Sequence, residues 1–225
     1  MYNNALSIGW TQESITPEQP VNLFGMFNER ISTHVEEPCT VTALALESTD
    51  SEHVIWLSCD LLNITLDVVQ DVRNAVSKQI PEFNSNKVLI SCIHTHNAPN
   101  FQGDLFPEPP TDVMTPDGYR AFFIERATEV AVRAWTARTV GQVSPALGHA
   151  VLGWCRRVVY SDGTGQMYGK HTKSAIPLGG TSTSLVCFGA KSLQSSHYDP
   201  LFDVCPLLFS VLQSIGSRSP CHWAE

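Results

Sequence analysis

The sequence predicts an α/β domain in which a mixed β-sheet is flanked by helices, and three observations carry that prediction. Two apolar runs with strand character, 39–48 and 53–60, sit on either side of a short polar turn. A run at helical spacing follows from Leu66 to Ile80. A third strand-like run, "KVLISCI", then occupies 87–93. Strand, helix and strand in succession form a βαβ unit, whose crossover is right-handed and whose strands are parallel neighbours in nearly all cases. Both strands of such a unit finish at the same edge of the sheet, where open α/β folds tend to bind ligands.

The elements follow in chain order. "CTVTALALES" (39–48) alternates and is rich in β-branched residues; "HVIWLSCD" (53–60) comes after the turn-like "STDSE", so the two are expected to form a hairpin. Leu66, Val69, Val72, Val76 and Ile80 recur at three and four, Thr65 is placed to cap, and Pro81 closes the run, which predicts one amphipathic helix. The stretch "NAPNFQGDLFPEPPTDVMTPDG" is too long to be a plain connection, and long loops over strand ends are where function concentrates. A second helix is expected from about Asp117, its cap, to Arg138, with Tyr119, Phe122, Phe123, Val130, Ala134 and Trp135 forming the apolar face. Residues 141–154 and 156–169 read as strands, the latter turned on itself at "SDGTG". Past about residue 171 the sequence turns serine-rich and loses any sustained period, so 1–171 is read as the domain and 172–225 as an atypical tail.

Composition narrows the class. A chain of 225 residues with 43% hydrophobic and 16% charged residues can bury a substantial core, and one compact domain or a little more is the expectation. A formal charge of -8 provides no basic stripe for a phosphate backbone, so no nucleic-acid partner is expected. Neither a signal peptide nor a membrane span is visible, which makes the expected location cytoplasmic. The oligomeric state is not legible. Seven cysteines without a Cys-x-x-Cys pair argue against a disulfide framework and against a zinc ribbon, and Cys59 and Cys92 lie inside expected strands.

The chemistry is expected where the two parallel strands end. Asp60 closes the first and His94 the second, so Asp60, His94 and His96 should share a crevice. Two histidines at i and i+2 on an extended backbone project to one face. Neutral imidazole is a common zinc ligand and carries protons near neutral pH. With 8 histidines in the chain the spacing alone is a weak signal, and a hydrogen-bonded structural pair is the competing reading. Asp60 is a candidate partner for an imidazole's other ring nitrogen, or else a cap for the turn that follows it. His34 reads as a solvated loop residue and His149 as a structural strand residue.

"IGWTQESITPEQPVNLFGM", "WLSCDLL", "VLISCIHTHNAPN" and "LGWCRRVVYSDGTGQMYG" occur in an order and at spacings that resemble the N-terminal catalytic domain of the neutral/alkaline (non-lysosomal) ceramidase family and its bacterial relatives. The most specific pieces are the G-W-x-x-x-x-I-T-P opening and H-T-H-x-x-P, and the resemblance covers about residues 7 to 171. It implies a zinc-dependent amidase that splits an N-acyl bond with metal-activated water, acting on a small-molecule or lipid-like amide. It further implies that His94 is a zinc ligand, that His96 positions or protonates the substrate, and that Arg156 steadies the reacting oxygen. Cys155 stands where the family has asparagine. The family's further ligands lie later in its sequence; of the candidates here, His171 and His197, neither matches their surroundings. The resemblance therefore also implies a truncated or divergent relative, and two alternatives stand beside the enzyme. One is a catalytically inactive relative acting as a binding or scaffold domain. The other is an unrelated His-x-His metal hydrolase, of the kind whose pair closes the first strand of an eight-stranded barrel.

Overall fold

A computed structural model describes residues 6–153, 157–167, 175–177 and 181–192. The chain divides into two compact units, one comprising the described residues up to Val143 together with 189–192, the other those within Ser144–Phe188. In chain order the elements are β1 (Leu6–Ser14), β2 (Leu23–Phe24), β3 (Thr40–Ser48), β4 (His53–Cys59), α1 (Leu66–Gln79), β5 (Val88–Cys92), β6 (Ala98–Pro99), α2 (Pro116–Thr136), β7 (Thr139–Gly153), β8 (Arg157–Tyr160), β9 (Gly165–Met167), β10 (Ala175–Pro177) and β11 (Thr181–Ser192).

In the first unit the main sheet runs β7-β1-β3-β4-β5. The predicted hairpin is present, with Val41 opposite Cys59 and Glu47 opposite His53 in antiparallel register. So is the βαβ unit: β4 and β5 are parallel, from Ile55 beside Val88 to Cys59 beside Cys92. β1 is antiparallel to both β3 and β7. An open sheet of mixed direction is not a parallel barrel, which removes the barrel reading of the His-x-His pair.

Helix α1 buries Val68, Val72 and Val76, whereas Leu66 is 78% exposed and Val69 only half-buried. The inward stripe thus starts one residue earlier than the expected Val69, because a spacing of four from Val72 continues the row on the same face. Thr65 holds the N-cap position without a capping bond from its side chain. Helix α2 buries Tyr119, Phe123, Ala127, Val130, Ala131, Ala134 and Trp135. Its cap is Thr115, whose hydroxyl accepts from Gly118 N at 3.1 Å. Asp117, expected as the cap, lies in the first turn behind Pro116, the position that proline favours.

The core gathers Val41, Ala43 and Ala45 of β3, Ile55 and Leu57 of β4, the three valines of α1 and the inner face of α2. β3 is buried continuously from Val41 to Ala45 because a second cluster, Ile8 and Leu44, lies outside that core. The long loop after β5 is pinned through Phe101, whose ring sits 5.2 Å from those of Tyr119 and Phe123.

The second unit contains a three-stranded sheet ordered β10-β8-β9. Its β8–β9 hairpin turns where "SDGTG" predicted: Gly163 takes φ +82°, and Tyr160 N donates to Thr164 O at 2.9 Å. β10 and β11 fall in the segment where no sustained period was found.

Candidate functional site

Parallel pairing brings the ends of β4 and β5 together, and the backbone keeps them together for two residues more. Ile93 N donates to Cys59 O at 3.1 Å and His94 N to Leu61 O at 3.0 Å. At His94 the chain turns into the left-handed region, φ +65°. This differs from the extended backbone expected for the histidine pair: β5 stops at Cys92, and a left-handed residue brings the two rings into proximity. Their centroids lie 5.0 Å apart with the planes 80° to each other. A side chain held in that region costs about 1–3 kcal/mol unless its surroundings fix it, and such strain clusters at functional sites.

One of those surroundings is the ring's own hydrogen bond. His94 Nδ1 lies 3.0 Å from the Leu62 carbonyl, which can only accept, so Nδ1 carries the proton and Nε2 presents a lone pair. No protein group among the described residues bonds to Nε2. A backbone carbonyl on one ring nitrogen, with the other left open, is how proteins prepare a histidine to ligate a metal.

Asp60 does not take part in that bond. Its Oδ2 accepts from the Thr40 amide and hydroxyl, both at 2.8 Å, and its backbone N donates to Thr40 O. Its Oδ1 is buried without a partner among the described residues. Burial raises the carboxyl above the ordinary aspartate range, opposed by the two Thr40 bonds. Asp60 therefore ties the end of β4 to the start of β3, and it also lines a cleft of about 770 Å³ with Thr16, Cys39, Ile93, Thr95 and Asn97. His94 and His96 alternate with those last three residues and are not among its lining.

The remaining candidates fall into place quickly. Burial pushes the Cys92 thiol up to about 12, Cys39 to about 11 and Cys59 well above the ordinary range, so none is a thiolate nucleophile. His34 is exposed, 3.0 Å from the Thr33 hydroxyl and 3.7 Å from Glu36. His149 lies in β7. Arg156, Cys155, His171, His197 and His222 lie outside the described residues.

A segment with no earlier claim on the site proves to hold it. The hairpin formed by 21–32 lays β2 against β6, with Leu23 opposite Pro99 and Phe24 opposite Ala98. Gly25, at φ +111°, presses on His96 so closely that a Cβ there would stand 2.7 Å from the His96 Cβ and Cγ. From the same hairpin Arg30 donates from Nη1 to Asn97 Oδ1 at 2.8 Å and from Nη2 to His96 O at 2.5 Å. The only sequence signal was the glycine within "LFGMF".

As a donor set, the pair fits a metal in part. Catalytic zinc ordinarily takes three protein ligands, and among the described residues no group of three or more His, Cys, Asp or Glu is gathered to hold an ion. His94 has the open nitrogen, and a catalytic metal there would need further donors.

A mixed sheet backed by two helices, with a histidine pair at the end of its parallel strands, is the class of structure that fold and site define. Comparison with solved structures finds a similar fold in the neutral ceramidase of Pseudomonas aeruginosa, at TM-score 0.57 and 15% identity over 71% of this chain. A ceramidase solved in complex with C2 gives TM-score 0.54 and 14% identity over the same share. This chain spans 25% of the length of each. It has the fold of that part of a neutral ceramidase. No family model and no curated protein matches it. Among the described residues no helix is long and apolar enough to cross a membrane.

Proposed function

We propose that this chain carries the histidine-pair portion of a ceramidase-like hydrolase site, one that cleaves the N-acyl bond of a small or lipid-like amide with zinc held through His94. The observation that supports it is the state of His94, which is left-handed, proton-bearing at Nδ1 against the Leu62 carbonyl, and open at Nε2. When bound, zinc would polarise the acyl carbonyl and acidify water. The chain's own residues do the rest. The Leu62 carbonyl fixes the His94 tautomer, and His96, exposed beside it, is placed to exchange a proton with the substrate. Arg156 is proposed to steady the reacting oxygen, and Asp60 to hold the end of β4 in place beside the pair through its Thr40 bonds. The donors missing from the described residues are proposed to come from the rest of the chain.

Metal analysis of purified protein tests this directly. Near-stoichiometric zinc in the wild type, lost in His94→Ala together with release of fatty acid from a short-chain ceramide, is the expected result. Absence of zinc from both proteins after incubation with the ion would sink the hydrolase reading and leave a binding or scaffold domain.

A further inference from the structure

We infer that Arg30 is the positioning residue of the histidine pair: a guanidinium clamp that fixes the backbone of His96 and Asn97, and so the ring that faces His94. The inference rests on the reading of the pair as the working end of the site.

Arg30 reaches the pair from far away in sequence, and its own position is fixed before it arrives. Leu23 N donates to Arg30 O at 2.8 Å, and Asn22 bridges Ile31 in the same hairpin. The side chain then divides its planar fork between consecutive residues, Nη2 on the His96 carbonyl and Nη1 on the Asn97 side chain. A lysine cannot reproduce this, because one ammonium has no rigid fork to span two acceptors. No carboxylate among the described residues pairs with Arg30, and its Nε is buried without a partner. An unpaired, partly buried cation is a poor way to gain stability. Its geometry is well suited to holding a loop.

That loop needs holding. His94 sits in a strained conformation, and such residues persist only where their surroundings over-determine them. On one side of His96 stands the Gly25 backbone, close enough to exclude a methyl group. Arg30 holds the carbonyl of the same residue. Glycine and arginine come from one hairpin, five residues apart, so a single element determines where the His96 ring stands relative to His94.

The test compares Arg30→Ala and Arg30→Lys with the wild type by two readouts. The first is the His96 ring in metal-free protein, followed by NMR on histidine-labelled samples. A single ordered ring is expected in the wild type and rotamer averaging in Arg30→Ala, with circular dichroism unchanged. The second is zinc affinity by chelator competition, expected to fall about 10–100-fold in Arg30→Ala, as for other residues that orient ligands, and less in Arg30→Lys. Should Arg30→Ala fail to fold, the lysine variant, which keeps the charge and loses the fork, carries both readouts. An unchanged His96 ring in the variants overturns the inference, whatever the metal does. If the wild type takes up no zinc while the ring still loosens in the variants, the proposed function fails and the clamp stands.

Discussion

The core beneath the helices and the rim beyond the strand ends treat their polar groups in opposite ways. Between α1, α2 and the sheet, side chains such as Leu57, Val72 and Phe123 are apolar and fully buried, and polar tips on α2 are paired: the Tyr119 hydroxyl donates to Ile15 O at 3.0 Å and the Thr128 hydroxyl to Ile124 O at 2.7 Å. At the rim, Asn22 Oδ1, Arg30 Nε and Asp60 Oδ1 are buried without partners among the described residues, and His94 is left-handed. Among the described residues just one other buried side-chain atom, Thr42 Oγ1, is in that condition. Leaving such groups unmade costs about 1–3 kcal/mol each. The core provides the stability against which the rim can hold unsatisfied groups close to a pair of imidazoles.

The sharpest way to break this contrast is to damage the core and look for an effect at the rim. Phe123→Ala should cost about 3–5 kcal/mol, read from a urea midpoint, since it empties a fully buried ring site. Zinc uptake by the fraction that stays folded should be unchanged; a parallel loss would show that the two regions are not separable. A smaller effect is expected at the rim itself. His94→Gly and His94→Ala both remove the ring and its bond to Leu62, but glycine tolerates φ +65° where alanine does not. The glycine variant should therefore be the more stable by about 1 kcal/mol, with both devoid of metal. Equal stabilities would mean that His94 stores no strain.

The smallest effect concerns pH. Asp60 titrates above the ordinary aspartate range in the folded protein, so between the unfolded and folded values the native state holds the extra proton. Stability contributed by that group is present at low pH, falls as pH rises through this window and is level above it. Asp60→Asn should remove that downward component, so that the variant's urea midpoints rise more steeply with pH than those of the wild type through this window. An identical slope in the variant would assign the dependence to other carboxylates.

Much of the architecture was legible because it follows from period. The β3–β4 hairpin, the parallel β4–β5 pair and the side-by-side ends of those two strands all come from runs whose spacing is local. What periodicity does not carry was misread or missed. Val68 rather than Val69 faces inward, a one-residue ambiguity that a row of valines cannot resolve. Thr115 caps α2 because Pro116 behind it occupies the first helical turn, a signal present in "TPDG" but passed over for the more acidic neighbour. The partner of the His94 ring is a backbone carbonyl, which has no residue type to announce it. Arg30 acts across more than sixty positions, from a hairpin whose short strands have no pattern.

The opening motif shows what such signatures record. In "GWTQESITP", Gly9 lies under the last turn of α2, where a Cβ would stand 2.1 Å from Ala134 O, and Ile15 is wholly buried with its carbonyl taken by Tyr119. These contacts are packing contacts and involve neither histidine of the pair. Chains gathered by this motif alone would be related as vaults built on one template, and whether a given vault still holds a working hearth would have to be read from its histidines.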